Sequence, residues 1–86
     1  MTNRELLTLA AKAAGIEVTE WSEEAQWYWT RDWHWNPLTS DADALRLAVK
    51  LGLTIVVESD SEKGKDPYAA TRRAIVRAAA EIGRTM

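Results

Sequence analysis

The sequence predicts an α+β domain: a small antiparallel sheet layered with helices, in the order helix, hairpin, helix, strand, helix. Three observations carry that prediction. Three segments repeat apolar residues at helical spacing, residues 26–35 alternate aromatic and polar side chains, and residues 53–58 form a short β-branched run. With 86 residues, a single domain over 1–86 is expected, because two halves would each be too short to bury a core.

The first helix opens at Thr2, which forms a capping box with Glu5, and places Leu6, Leu9, Ala10 and Ala13 on one face. Gly15 is its expected C-cap, since glycine takes the left-handed conformation without steric cost. A second helix starts at Thr39 or Ser40, with Asp41 and Asp43 near the positive end of the dipole. Leu45, Ala48 and Val49 make its main stripe, widened by Ala44, Leu47 and Leu51. A helix apolar on so many sides is expected to be covered on most of them. Gly52 ends it, and "LTIVVE" at 53–58 follows as the strongest strand signal. A polar loop, "SDSEKGKD", leads to Asp66 as N-cap and Pro67 at the first position of a third helix. Tyr68, Thr71, Ile75, Ala78 and Ile82 are expected to face inward there, and Gly83 to stop the helix.

The stretch "QWYWTRDWHWN", residues 26–36, holds four of the five tryptophans. If Thr30–Asp32 form a three-residue loop, Trp29 faces Trp33 and Trp27 faces Trp35. All four indoles then share one face, and Tyr28 pairs with His34 on the other. Cross-strand aromatic pairs contribute about 0.2–1 kcal/mol each. A small domain has reason enough to bury such rings, at ~150–250 Å² apiece. Exposed together, they would make a patch large enough to imply a partner. The expectation is a mixture, with Trp33 and Trp35 inside and Trp21 and Trp27 nearer solvent.

The composition narrows the chemistry. There is no cysteine, hence no disulfide, thiolate or Cys-based zinc site, and the one histidine, His34, cannot form a metal cluster. An Asp32–His34 pair lacks a neighbouring nucleophile, so a structural histidine is the simpler reading. Glu17, Glu20, Glu23 and Glu24 lack the spacing and turn glycine of a calcium loop and read as a solvated acidic edge. No glycine-rich phosphate loop occurs. No enzyme, metal or cofactor is therefore expected. The start reads as a helix rather than a signal peptide, and no stretch reaches the ~18–20 apolar residues of a membrane span.

Net charge is −2 but uneven: residues 1–60 hold ten acids against five bases, and 61–86 three against six. Arg73, Arg77 and Arg84 form a ridge on the third helix with Arg72 at its flank. With Lys65, Arg72, Arg73 and Arg77 could hold a nucleotide or single-stranded nucleic acid alongside stacked indoles. A solvated helix face is the simpler account, given the net negative charge.

Three segments resemble the phage ABA sandwich domain, a family of small phage and prophage proteins. They are "NRELLTLAAKAAGIE" at 3–17, "HWNPLTSDADALRLAVKLGLTI" at 34–55 and "DPYAATRRAIVRAAAEIGR" at 66–84. The characteristic parts are the Asn36-Pro37-Leu38 turn, the helix–glycine–strand unit and the Asp66-Pro67-Tyr68 helix start. The resemblance implies a layered sheet-and-helix fold and a phage or prophage origin, with no catalytic residues. It leads to a functional expectation: a non-enzymatic binder in the bacterial host cytoplasm, antagonising a defence complex or another host factor as an anti-CRISPR protein does. Partner-binding residues are expected at Glu20, Trp21, Glu23, Glu24, Trp27, Tyr28 and Arg31, in the segment least like the family. The rivals are the nucleotide or nucleic-acid binder and a self-associating structural protein, such as a homodimer.

Overall fold

The structure is a computed structural model and describes residues 2–53 and 67–86. The expected strand beyond Leu53, Lys65 and the Asp66 cap lie outside the described residues. Within them the fold is α+β: α1 (Asn3–Ala14), β1 (Val18–Ser22), β2 (Trp27–Thr30), β3 (His34–Trp35), α2 (Asp41–Leu51) and α3 (Pro67–Arg84). The three strands form one antiparallel sheet in the order β1-β2-β3. Strand β1, in the segment expected to be a solvated acidic edge, is the unexpected element.

The caps fall where the residues demand them. The Thr2 hydroxyl accepts from the Glu5 N–H at 3.1 Å, and the Ser40 side chain accepts from the Asp43 N–H at 3.3 Å. Gly15 and Gly52, at φ 69° and 64°, close α1 and α2 by turning their N–H groups onto the last-turn carbonyls.

The inward faces differ from the expected stripes. Helix α1 buries Leu6, Leu7, Ala10, Ala11 and Ala14, with Leu9 only packed against this core. Helix α2 buries Asp43, Ala44, Leu47 and Ala48, leaving Leu45 57% and Val49 73% exposed. Two apolar stripes one position apart competed for the core, and a polar contact decided between them. The buried Asp43 carboxylate accepts the Asn36 backbone N–H at 3.0 Å, which turns the 43–44–47–48 face inward.

On α3 the buried residues are Ile75, Val76, Ala79, Ala80 and Gly83. Tyr68 (67% exposed), Ala78 and Ile82 face outward, contrary to expectation. Small side chains explain the choice, because they let α3 lie close against α1. Gly83 does not stop the helix but sits tight against the α1 backbone at Leu9. A Cβ there would sit 2.0 Å from the Leu9 carbonyl oxygen.

The core lies between the helices and one face of the sheet, where Trp35 (1% exposed) and Tyr28 meet α1, α2 and α3 side chains. The Thr8 hydroxyl donates to the Arg4 carbonyl at 2.7 Å, which uses its single hydrogen. The Tyr28 hydroxyl, 2.6 Å away, must therefore donate to Thr8, tying β2 to α1.

Two substitutions test this packing by chemical denaturation. Gly83→Ala in an isolated helix should stabilise by about 1 kcal/mol. Here it should destabilise by about 1–3 kcal/mol through overpacking against backbone; a raised midpoint would rule out the close approach. Asp43→Ala should cost about 1–3 kcal/mol by leaving the Asn36 N–H buried without an acceptor. Asp43→Asn, which keeps an acceptor, should cost less. Equal losses would mean that the accepted hydrogen bond is not what Asp43 supplies.

Candidate functional site: the outer aromatic face

A turn of residues 23–26 joins β1 to β2. The Gln26 N–H donates to the Ser22 carbonyl at 2.8 Å, and the Ala25 N–H to the Ser22 hydroxyl at 3.2 Å. Gln26 takes φ 60°, a conformation that non-glycine residues rarely adopt. Its carbonyl accepts from the Asn36 side chain at 3.2 Å. The same asparagine that engages Asp43 therefore also holds the base of the hairpin.

The β2–β3 register differs by one residue from the expected one. Tyr28 pairs with Trp35 and Trp29 with His34. Residues 31–33 connect the two strands, and the Thr30 N–H donates to the Trp33 carbonyl at 2.8 Å across the turn. The Thr30 hydroxyl donates to the same carbonyl at 2.7 Å and accepts from the Trp33 N–H at 3.0 Å. The sequence reading missed this hydroxyl clamp, and a slip of one residue exchanges the faces of a strand. The four indoles consequently do not share a face. Trp35 goes into the core, and Trp33, expected inside, is 39% exposed at the hairpin end.

The sheet face turned away from the helices is built from alternate residues. It carries Trp27, Trp29 and His34, with Glu20 opposite Trp29 and Ser22 opposite Trp27. Trp27 and His34 stack with centroids 4.4 Å apart at 25°. The Trp29 ring stands nearly perpendicular to both, at 5.8 Å from Trp27 and 5.7 Å from His34. Trp29 is 42% exposed, while Trp27 is half-buried. The Trp27 indole N–H is buried without an acceptor among the described residues.

The expected partner-binding residues separate on this frame. Glu20 and Trp27 belong to the outer face, with Glu24 exposed in the turn and Arg31 at the hairpin tip. Tyr28 does not belong there: it is a core residue, 8% exposed. Trp21 lies on the inner face, half-buried, with its ring 4.9 Å from that of Tyr28. Glu23 is exposed and accepts the Trp21 indole N–H at 2.7 Å, so this acid supports a neighbouring ring. His34 was missed as an outer-face residue because the expected β2–β3 register gave β3 the wrong parity, whereas Trp29 shares the face of Trp27 in either register and only its exposure was missed.

The residues of the alternative set have different surroundings. The Arg72 side chain is 14% exposed. It donates to the Leu38 carbonyl at 2.9 Å and pairs with Asp41 at 2.6 Å, bracing α3 against the start of α2. Arg73 and Arg77 are exposed on α3, Arg84 pairs with Glu81 at 2.9 Å, and Lys65 lies outside the described residues. Helix α3 packs on α1 and α2, so these cations stand on a different element from the aromatic face. Among the described residues no three His, Asp or Glu side chains converge as metal ligands, and no helix is long and apolar enough to cross a membrane.

Compared with protein-family models, curated proteins and solved structures, the chain matches none. The functional reading consequently rests on the face itself.

Acrylamide quenching checks the partition of the indoles. Trp29→Phe and Trp33→Phe should each remove a readily quenched, red-shifted part of the emission. Trp35→Phe should remove a shielded, blue-shifted part. Ready quenching of Trp35 in the folded chain would contradict the register.

Proposed function

We propose that this chain is a non-enzymatic binding protein that docks a partner through the outer aromatic face of its sheet. The observation that carries the reading is Trp29, a large ring 42% exposed beside Trp27 and His34 on the side away from the helices. The core already has Trp35 and Tyr28, so an indole left outside is not needed to complete it. Aromatic anchors supply much of the energy of protein–protein contacts when a partner covers them. In the setting that the family resemblance implies, the partner is a protein of the bacterial host, met in its cytoplasm and antagonised by being occupied.

Nucleotide binding is the weaker reading, since Arg72 is committed to Asp41 and Leu38. The test uses the chain as bait beside a Trp29→Ser/Trp33→Ser variant of unchanged melting temperature. The reading expects a host protein that is retained by the first and lost by the second. A melting temperature raised by a nucleotide, through linkage, would replace it with the ligand reading. A dimer by light scattering that dissociates in the variant would replace it with self-association.

A further inference from the structure

We propose that the occupant of the outer face is a basic segment of the partner, with a guanidinium or ammonium group seated on Trp29 and paired with Glu20. This inference rests on the binding reading above and names the chemistry of what binds. Three observations lead to it. Glu20 is the register partner of Trp29 in the antiparallel β1–β2 pair, so both side chains project from the same face. Directly opposed residues bring their Cβ atoms to about 5 Å, within reach of one bound side chain. Glu20 is exposed and Trp29 is 42% exposed, and the Trp29 ring stands nearly perpendicular to those of Trp27 and His34 instead of stacking flat against them.

The surrounding charge selects the sign of the ligand. Between residues 17 and 34 the chain carries the carboxylates of Glu17, Glu20, Glu23, Glu24 and Asp32 against the single guanidinium of Arg31. All six side chains belong to exposed residues. A phosphate backbone approaching this face would meet net repulsion, whereas a basic segment is drawn in. A cation over an indole face is attracted by the ring quadrupole, and a planar guanidinium can stack there while forking onto a carboxylate. An acid beside an exposed tryptophan is the pair of groups such a side chain needs. An apolar partner would leave Glu20 desolvated without a counter-charge.

The experiment titrates the isotopically labelled chain with tetra-arginine amide and follows the five tryptophan indole N–H signals. Trp29 is assigned through Trp29→Phe. Tetraglutamate and a short single-stranded DNA serve as the opposing probes. The proposal expects a saturable shift at the Trp29 signal with tetra-arginine alone, weakened by added salt. Trp29→Leu should lower the affinity about two- to fivefold, the effect of one exposed cation–π contact. Glu20→Lys should lower it further, with the melting temperature unchanged in both variants. Equal affinity in Glu20→Lys, or a shift at Trp29 with DNA, would overturn it. If tetra-arginine leaves Trp29 unmoved while the Trp29/Trp33-dependent partner is still captured, the basic chemistry is wrong and the binding face stands. Loss of both results removes the two readings together.

Discussion

The buried hydrogen bond from the Asn36 N–H to the Asp43 carboxylate is the constraint on which the other elements depend. A buried backbone donor must find an acceptor, and here the acceptor is a side chain in the first turn of α2. That demand sets the rotation of α2 and so decides which apolar stripe enters the core. Asn36 extends the same junction in two further directions. Its amide donates to the Gln26 carbonyl, and its side-chain oxygen accepts the Leu38 N–H at 3.1 Å. Its own carbonyl accepts from Thr39 and Ser40. Hairpin, loop and helix are therefore oriented by one residue, and Arg72 adds α3 by gripping Leu38 and Asp41.

The division of the tryptophans follows from that frame. The Thr30 hydroxyl clamps Trp33 across the turn of residues 31–33, where the β3 register departs by one residue from the expected pairing. Trp35 is then carried into the core, while His34 comes to the outer face and stacks on Trp27. Rings that alternate along a strand cannot all point one way once the parity changes. The result is an inner set packed in the core and an outer set partly open to solvent, drawn from the same short run of sequence.

Much of the fold was legible in local chemistry. Thr2, Gly15, Ser40 and Gly52 mark helix ends through hydrogen bonds made within a few residues, and each acts as its residue type requires. The inner faces of the helices were harder, because α2 and α3 each offer more than one apolar stripe. The Leu45/Val49 stripe is the more apolar to the eye, yet it lies outside, since burial of Asp43 was not visible without its partner seven residues earlier. On α3, Gly83 looked like a terminator by residue type. Its role depends on the Leu9 backbone facing it, a contact that local pattern does not encode. Of the site, Glu20 and the shared face of Trp27 and Trp29 were legible, whereas the outward placement of His34 depended on the β2–β3 register.

By itself, then, the sequence determined the class of the fold, the caps of α1 and α2, an aromatic hairpin and the lack of thiol chemistry. These follow from residue identity and from interactions spanning one turn of chain. Only the tertiary structure decided which indoles are buried, which face of each helix meets the core, and that Arg72 braces two helices. Those outcomes turn on long-range contacts, where a one-residue slip in a strand or a single-position rotation of a helix exchanges inside for outside. Local pattern scores such alternatives almost equally; the Asn36–Asp43 bond, the Thr30 clamp and the Gly83 contact separate them.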